Sequence, residues 1–193
     1  MNNTPVADGR ALHATASAFD AQRSKLPVPG DPHRSPDTVA VAGQISQLGT
    51  LITTLGDQIL FRANSANQAP HSARVITSFA AAVGPASQAI SALGSVANQL
   101  SFLDQTEHLR DQPDARGARD VATLVIGNAL GMADTALRDA ADSLHAASTT
   151  VAPPSVRLQA ARSRSTTAAP SPAPPPSSAT AAPVPPNRIT RSR

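Results

Sequence analysis

The sequence predicts an all-α protein: an antiparallel bundle of three helices, or four if an N-terminal helix joins it, followed by a disordered tail. Three long stretches space their apolar residues alternately by four and three, the period of helices that pack along one face. Much of this seam is alanine. The last 43 residues consist mainly of Pro, Ala, Ser, Thr and Arg, which favours disorder.

The larger apolar side chains on the three seams are the predicted interaction surface. They hold helices of this chain together, and they also suit self-association or the docking of a partner helix. The set is Ile45, Leu48, Ile52, Leu55, Ile59, Phe79, Leu93, Val96, Leu100, Leu103, Ile126, Leu130, Leu137 and Leu144. A second apolar stripe, predicted to be covered by self-association, comprises Leu51, Leu60, Ile76, Val83 and Ile90.

Residues 1–36 are predicted to form an N-terminal arm with a short helix over residues 8–25. Asp8 is a candidate N-cap, although Gly9 beside it disfavours helix initiation. Leu12 and Phe19 would supply the apolar contacts of this helix. Five prolines and glycines within ten residues then predict a linker over residues 27–36.

The helical body is predicted over residues 37–150. Its first helix begins at Ser35 or Asp37, and the apolar pattern ends near Phe61. Glycines in its interior cost helix stability but permit another backbone to approach closely. These glycines are Gly43, Gly49 and Gly56.

The second helix is predicted over residues 71–110, and the third over residues 113–148. The Gly84-Pro85 pair interrupts the second helix, but the apolar register continues across it, which favours one kinked helix over two separate ones. Gly127 and Gly131 form a small-x-x-x-small pair in the third helix, and such pairs allow close helix packing.

Residues 151–193 form the predicted tail, and they reverse the charge of the chain. Six of the sixteen basic residues and none of the thirteen acidic ones lie there, which leaves the preceding 150 residues with ten basic against thirteen acidic side chains. Pro183, Pro186 and Arg188 match a Pro-x-x-Pro-x-Arg pattern, a weak signal for recognition by a polyproline-binding groove. The tail arginines also suit weak, salt-sensitive binding to nucleic acid, whereas the simplest interpretation is a solubilising tail.

The sequence offers little catalytic chemistry. The chain has no cysteine, no Gly-x-Ser-x-Gly turn and no phosphate-binding loop. Asp104, His108 and Asp111 are spaced to share one helix face with Glu107 nearby, but bundle metal sites draw ligands from several helices. The alternative interpretation is that these four polar residues form a solvent-exposed helix end. We therefore expect no enzyme activity, no metal and no cofactor.

A non-enzymatic helical interaction or scaffold protein is thus the leading hypothesis for function, with a protein partner or a second copy as its ligand. Two alternatives remain: an accessory nucleic-acid-binding protein that uses its basic tail, and a membrane-associated helical protein. The charge-free stretches 38–56 and 75–103 are long enough to cross a bilayer, but polar residues interrupt both. Because no signal peptide pattern opens the chain, a cytoplasmic location is expected.

Overall fold

The computed structural model describes residues 4–31, 33–64 and 70–152. These residues form four α-helices and no strand: α1 (Pro5–Ser24), α2 (Thr38–Ala63), α3 (Pro70–Gln105) and α4 (Pro113–Val151). A short 3-10 turn, Glu107–Leu109, lies between α3 and α4. The all-α prediction is confirmed, with the four-helix arrangement.

Helix ends follow local capping chemistry. The Thr4 hydroxyl accepts a hydrogen bond from the Ala7 N–H, and Pro5 occupies the first position of α1. Asp8 is therefore not the N-cap, and the sequence prediction for it was wrong. Asp37 caps α2 by accepting from the Ala40 N–H at 2.8 Å, which selects the second of the two predicted start sites.

α3 is one continuous helix of 36 residues that contains Pro85. Proline lacks the N–H that would bond the carbonyl of Ala81, four residues earlier. Ala81 is exposed, so water can satisfy that carbonyl. Ala82 and Ala86 are buried on either side of the interruption, which keeps the apolar register intact as predicted.

α3 ends at Gln105, five residues before the predicted end. The Thr106 hydroxyl donates to the Phe102 carbonyl at 2.8 Å, and Arg119 of α4 donates to the Leu103 carbonyl at 2.6 Å. The Phe102 carbonyl also accepts from the Thr106 N–H, so the bond from Arg119 is the one that satisfies an orphan carbonyl, that of Leu103, and it fixes the reversal into α4. The reversal makes α3 and α4 an antiparallel hairpin.

The helices pack in the order α2, α3, α4, α1, and α1 touches α2 only sparingly. α1 is antiparallel to α4, because Gly9 lies beside Ala152 whereas Arg23 pairs with Asp134. Long polar side chains join α1 to α2: Gln44 Nε2 donates to the Gln22 carbonyl at 2.8 Å. The N-terminal helix is thus part of one compact unit with the other three helices.

The core combines a few large side chains with many alanines, as the seams predicted. The largest fully buried apolar side chains come from all four helices: Phe19, Phe79, Leu12, Leu48, Leu55, Leu93, Leu137 and Leu144. Fully buried alanines line α3 and α4 between them: Ala82, Ala86, Ala89, Ala133, Ala140 and Ala141. Small side chains let helices approach closely, although each buries little area.

A glycine marks a close approach between helices at Gly9, a position for which the sequence predicted no such role. A Cβ added at Gly9 would lie 2.5 Å from the Ala152 Cβ, so α1 needs glycine there to reach the end of α4. Cβ atoms added to the α2 glycines or to Gly127 and Gly131 would meet nothing within 4 Å. No close approach occurs at those five glycines within the described residues, and their contact with another chain stays a prediction.

The predicted linker is a folded loop over its described part. Arg34 donates to the Ser24 carbonyl at 2.7 Å, which satisfies an orphan carbonyl at the end of α1. The Val28 N–H bonds the Arg34 carbonyl at 2.8 Å, and Gly30 has a φ of +86° between them. Leu26 and Pro27 are buried in this loop.

Candidate functional site

The predicted seam residues lie inside this chain. Ten of the fourteen are buried in the core: Leu48, Leu55, Phe79, Leu93, Val96, Leu100, Ile126, Leu130, Leu137 and Leu144. The other four are partly buried against it: Ile45, Ile52, Ile59 and Leu103. The ten buried side chains hold α2, α3 and α4 together, and they cannot reach a partner unless the bundle opens. The tail residues Pro183, Pro186 and Arg188 lie outside the described part of the chain.

A different row of apolar side chains faces solvent on α4. Val121, Leu124 and Met132 are exposed by 59%, 68% and 67%. With Asn128 and Thr135, both also exposed, the row repeats at intervals of three, four, four and three residues. At about 100° per residue, these five side chains lie within about 40° of Asn128 around the helix axis, and so form one face.

α3 borders this row with neutral polar side chains, three of them serines. Ser87, Gln88, Ser91 and Ser95 line a shallow groove with Ala129 and Met132 of α4. α3 carries no charged residue between Val75 and Leu103, and α4 carries none between Val121 and Ala133. We call the four α3 residues and the α4 row (Val121, Leu124, Asn128, Met132 and Thr135) the outer face.

Val121 and Leu124 of the outer face lie on the part of α4 that extends beyond the end of α1. The Arg23–Asp134 ion pair fixes the C-terminal end of α1 beside the middle of α4. The following segment, Leu26 to Pro29, still borders α4 at Gly127 and Gly131. At 1.5 Å per residue, the first thirteen residues of α4 extend about 20 Å further, packed against α3.

A buried ionic cluster joins α1, α2 and α3 at the opposite end of the molecule. Arg62 Nε and Nη2 both donate to Asp8 Oδ1, at 3.1 and 2.9 Å. The Asp8 and Arg62 side chains are only 1% and 5% exposed. His71 Nε2 lies 3.3 Å from Asp8 Oδ2, and the Arg62 guanidinium lies 5.0 Å from the centre of the Phe79 ring.

This ionic cluster holds helices together. Arg62 also donates to the Gln58 carbonyl at 3.2 Å, so its guanidinium is held by two helices at once. A buried charge pair of this kind is costly to break and specifies which groups meet. Residues 8 and 62 are 54 positions apart, and no local pattern in the sequence links them, so sequence reasoning missed the pair.

The predicted metal-ligand set is not brought together. Because α3 ends at Gln105, Asp104, His108 and Asp111 do not share a helix face, and all three are exposed. Glu107 instead pairs with Arg110 and Arg119, at 3.1 and 2.6 Å. In the part of the chain that the structure describes, no group of three His, Asp or Glu side chains is placed to hold a metal ion.

Two further polar contacts lie between α1 and α4. The Arg23 guanidinium donates to Asp134 at 2.6 Å, and this hydrogen bond raises the pKa of Arg23 above its ordinary value. Asp134 also pairs with Arg138, one turn along α4. His145 Nε2 lies 2.9 Å from Asp20 Oδ2. These pairs fix the position of α1 along α4.

One helix is long and apolar enough to cross a membrane by length and composition. It covers His71–Gln105, with a mean hydropathy of 1.2, and 33% of its most apolar window is buried within the described residues. A helix that forms the core of a soluble bundle passes the same test. Comparison with known proteins adds no assignment: no family model, no curated protein and no solved structure matches this chain.

Proposed function

We propose that this chain is a non-enzymatic helical interaction protein, and that the outer face is the surface through which it binds another helix. The observation that carries this proposal is the row of exposed apolar side chains on α4, Val121, Leu124 and Met132. Single exposed apolar residues are ordinary on a protein surface, but a contiguous row beside a charge-free groove is typical of interaction sites.

The spacing of the row supports a helical partner. Amphipathic helices are recognised through side chains at intervals of three and four residues, which is the repeat from Val121 to Thr135. The small side chains of Ser87, Ser91 and Ser95 leave room for another helix to lie close to both α3 and α4. The absence of charge on this face lowers the desolvation cost of covering it.

The buried seams and the exposed outer face have different roles in this proposal. The seams predicted for self-association hold the bundle together, so association has to use residues that remain accessible. Leu124 and Met132 meet that condition, whereas buried seam residues such as Leu130 and Leu137 do not.

Site-specific photocrosslinking tests the proposal. The chain has no cysteine, so a single introduced cysteine can be labelled at a chosen position. A benzophenone attached to Leu124→Cys should give covalent adducts on irradiation, with the protein alone or in an extract of its source cells. Val39→Cys is a matched control, since Val39 is 81% exposed and lies on α2, away from the outer face. Equal labelling from both positions, or none from either, would contradict the proposal.

Membrane association is a second candidate, favoured by the hydropathy of α3. In that case the outer face would lie against lipid. Flotation with liposomes that contain anionic lipid separates the two candidates. Protein that floats with the vesicles, and loses this property in a Leu124→Ser/Met132→Ser variant, would favour the membrane over a helical partner.

A further inference from the structure

We infer that the helix bound by the outer face is α4 of a second copy of this chain, packed antiparallel about a two-fold axis at Asn128. This inference rests on the proposed function, because it names the occupant of the same face. It commits to one register, which follows from the order of side chains along α4.

The apolar side chains of the row complement themselves under this symmetry. Antiparallel pairing centred on Asn128 places Leu124 opposite Met132 of the second copy, and Val121 opposite Thr135 of the second copy. The same contacts recur on the other side of the axis, as an isologous interface requires. The two exposed leucines and the two exposed methionines are then covered together.

Asn128 sits where a polar residue can set the register. Its exposed side chain would meet its own copy at the axis, where two carboxamides can donate to and accept from each other. A single asparagine in an otherwise apolar helix seam is a known means of fixing register at some cost in stability. A shift of one turn would separate the two amides and leave them against apolar side chains.

The flanking charges are complementary in the same register. Asp120 and Arg138 both lie about 80° from Asn128 on the same side of α4. A two-fold axis perpendicular to the helices keeps that flank on one side, so Asp120 faces Arg138 of the second copy within about 3 Å along the axis. Asp120 has no ion-pair partner among the described residues. Arg138 pairs with Asp134 in the single chain, but Asp134 would still have its ion pair with Arg23 if Arg138 turned towards Asp120 of the second copy.

The backbone geometry allows the approach. A Cβ added at Gly131, which borders both the row and the Leu26 to Pro29 segment, would meet nothing within 4 Å, so there is room beside it for a small group of a second helix. Helices packed 8–10 Å apart would place the two Asn128 Cα atoms about 3.5–5.5 Å apart, given a Cα radius of about 2.3 Å. This range overlaps the Cα separations of about 4.4–6.8 Å found in disulfides.

Disulfide trapping with single cysteines tests the register directly. Asn128→Cys should form a covalent dimer under mild oxidation, at least tenfold faster than the exposed control Val39→Cys. Val121→Cys alone should not, because its two copies would lie about 21 Å apart along the helix axis. A mixture of Val121→Cys and Thr135→Cys should give the mixed dimer. One helix pair buries less than the roughly 1,200 Å² of a stable interface, so protein at hundreds of micromolar is used.

The outcomes separate this inference from the proposed function. Asn128→Cys that crosslinks no faster than Val39→Cys would overturn the second copy as occupant, and rapid crosslinking of Val121→Cys alone would overturn the register. If Leu124→Cys photolabels a different protein in the extract while no chain–chain adduct forms, the outer face remains the interaction surface and only this inference fails. Circular dichroism of each variant verifies that the bundle is intact.

Discussion

Removal of the buried carboxylate at Asp8 should destabilise the bundle severely. In Asp8→Ala, the Arg62 guanidinium keeps its burial but loses two hydrogen bonds and its countercharge. An unpaired buried charge typically costs 3–5 kcal/mol, and we expect about 3 kcal/mol because Gln58 and Phe79 still contact Arg62. Domains of this size are stable by about 5–15 kcal/mol, so a large fraction of the folding free energy would be lost.

Removal of both charged side chains should recover most of the stability that is lost in Asp8→Ala. A well-packed apolar pair often replaces a buried ion pair at little cost, so Asp8→Ala/Arg62→Leu should lie within about 1 kcal/mol of the parent. The two single variants would then be non-additive by at least about 2 kcal/mol. Asp57→Ala is the matched control, because Asp57 is exposed on α2, and it should change stability by less than about 0.5 kcal/mol.

Urea unfolding followed by far-ultraviolet circular dichroism is the assay, since the chain has no tryptophan or tyrosine for fluorescence. The reasoning would be refuted by an Asp8→Ala variant that loses less than about 1 kcal/mol, or by strict additivity of the two single variants. Either result would mean that α1 is not tied to α2 and α3 through this carboxylate.

Four other outcomes follow from the same structure. Gly94→Ala should raise the unfolding free energy by about 0.5–1 kcal/mol, since a Cβ there meets nothing, and urea titration measures it. Gly9→Ala should lower it, because its Cβ collides with that of Ala152. Leu137→Ala should cost about 2–5 kcal/mol in the same titration, as Leu137 is fully buried. Any DNA binding in gel-shift assays should disappear on deletion of residues 153–193 and weaken steeply between 50 and about 200 mM salt, whereas binding that survives the deletion would refute the tail hypothesis.

The bundle could be predicted from the sequence because its signals are local. Apolar residues such as Leu48 and Leu55, or Leu137 and Leu144, recur at helical spacing, and burial of such a stripe decides where a helix forms and which side faces inward. The continuity of α3 through Pro85 was also readable, because Ala82 and Ala86 keep the same register on both sides of the proline.

Long-range contacts were not readable in this way. The partnership of Asp8 with Arg62 depends on how α1 crosses α2, and Gly9 acquires its role only when the end of α4 arrives beside it. The outer face was missed for a related reason. Leu124 and Met132 are apolar like seam residues, and only the packing of α3 and α1 against the other sides of α4 shows that they are left exposed.

The molar mass of the protein in solution decides whether the outer face joins two copies of the chain. Size-exclusion chromatography with light scattering, run from low to high micromolar concentration, should show a rise from 19.7 kDa towards twice that value. A Leu124→Ser/Met132→Ser variant should stay at 19.7 kDa with unchanged helicity. A parent protein that remains monomeric throughout, or a variant that associates as the parent does, would contradict the claim that the outer face joins two copies.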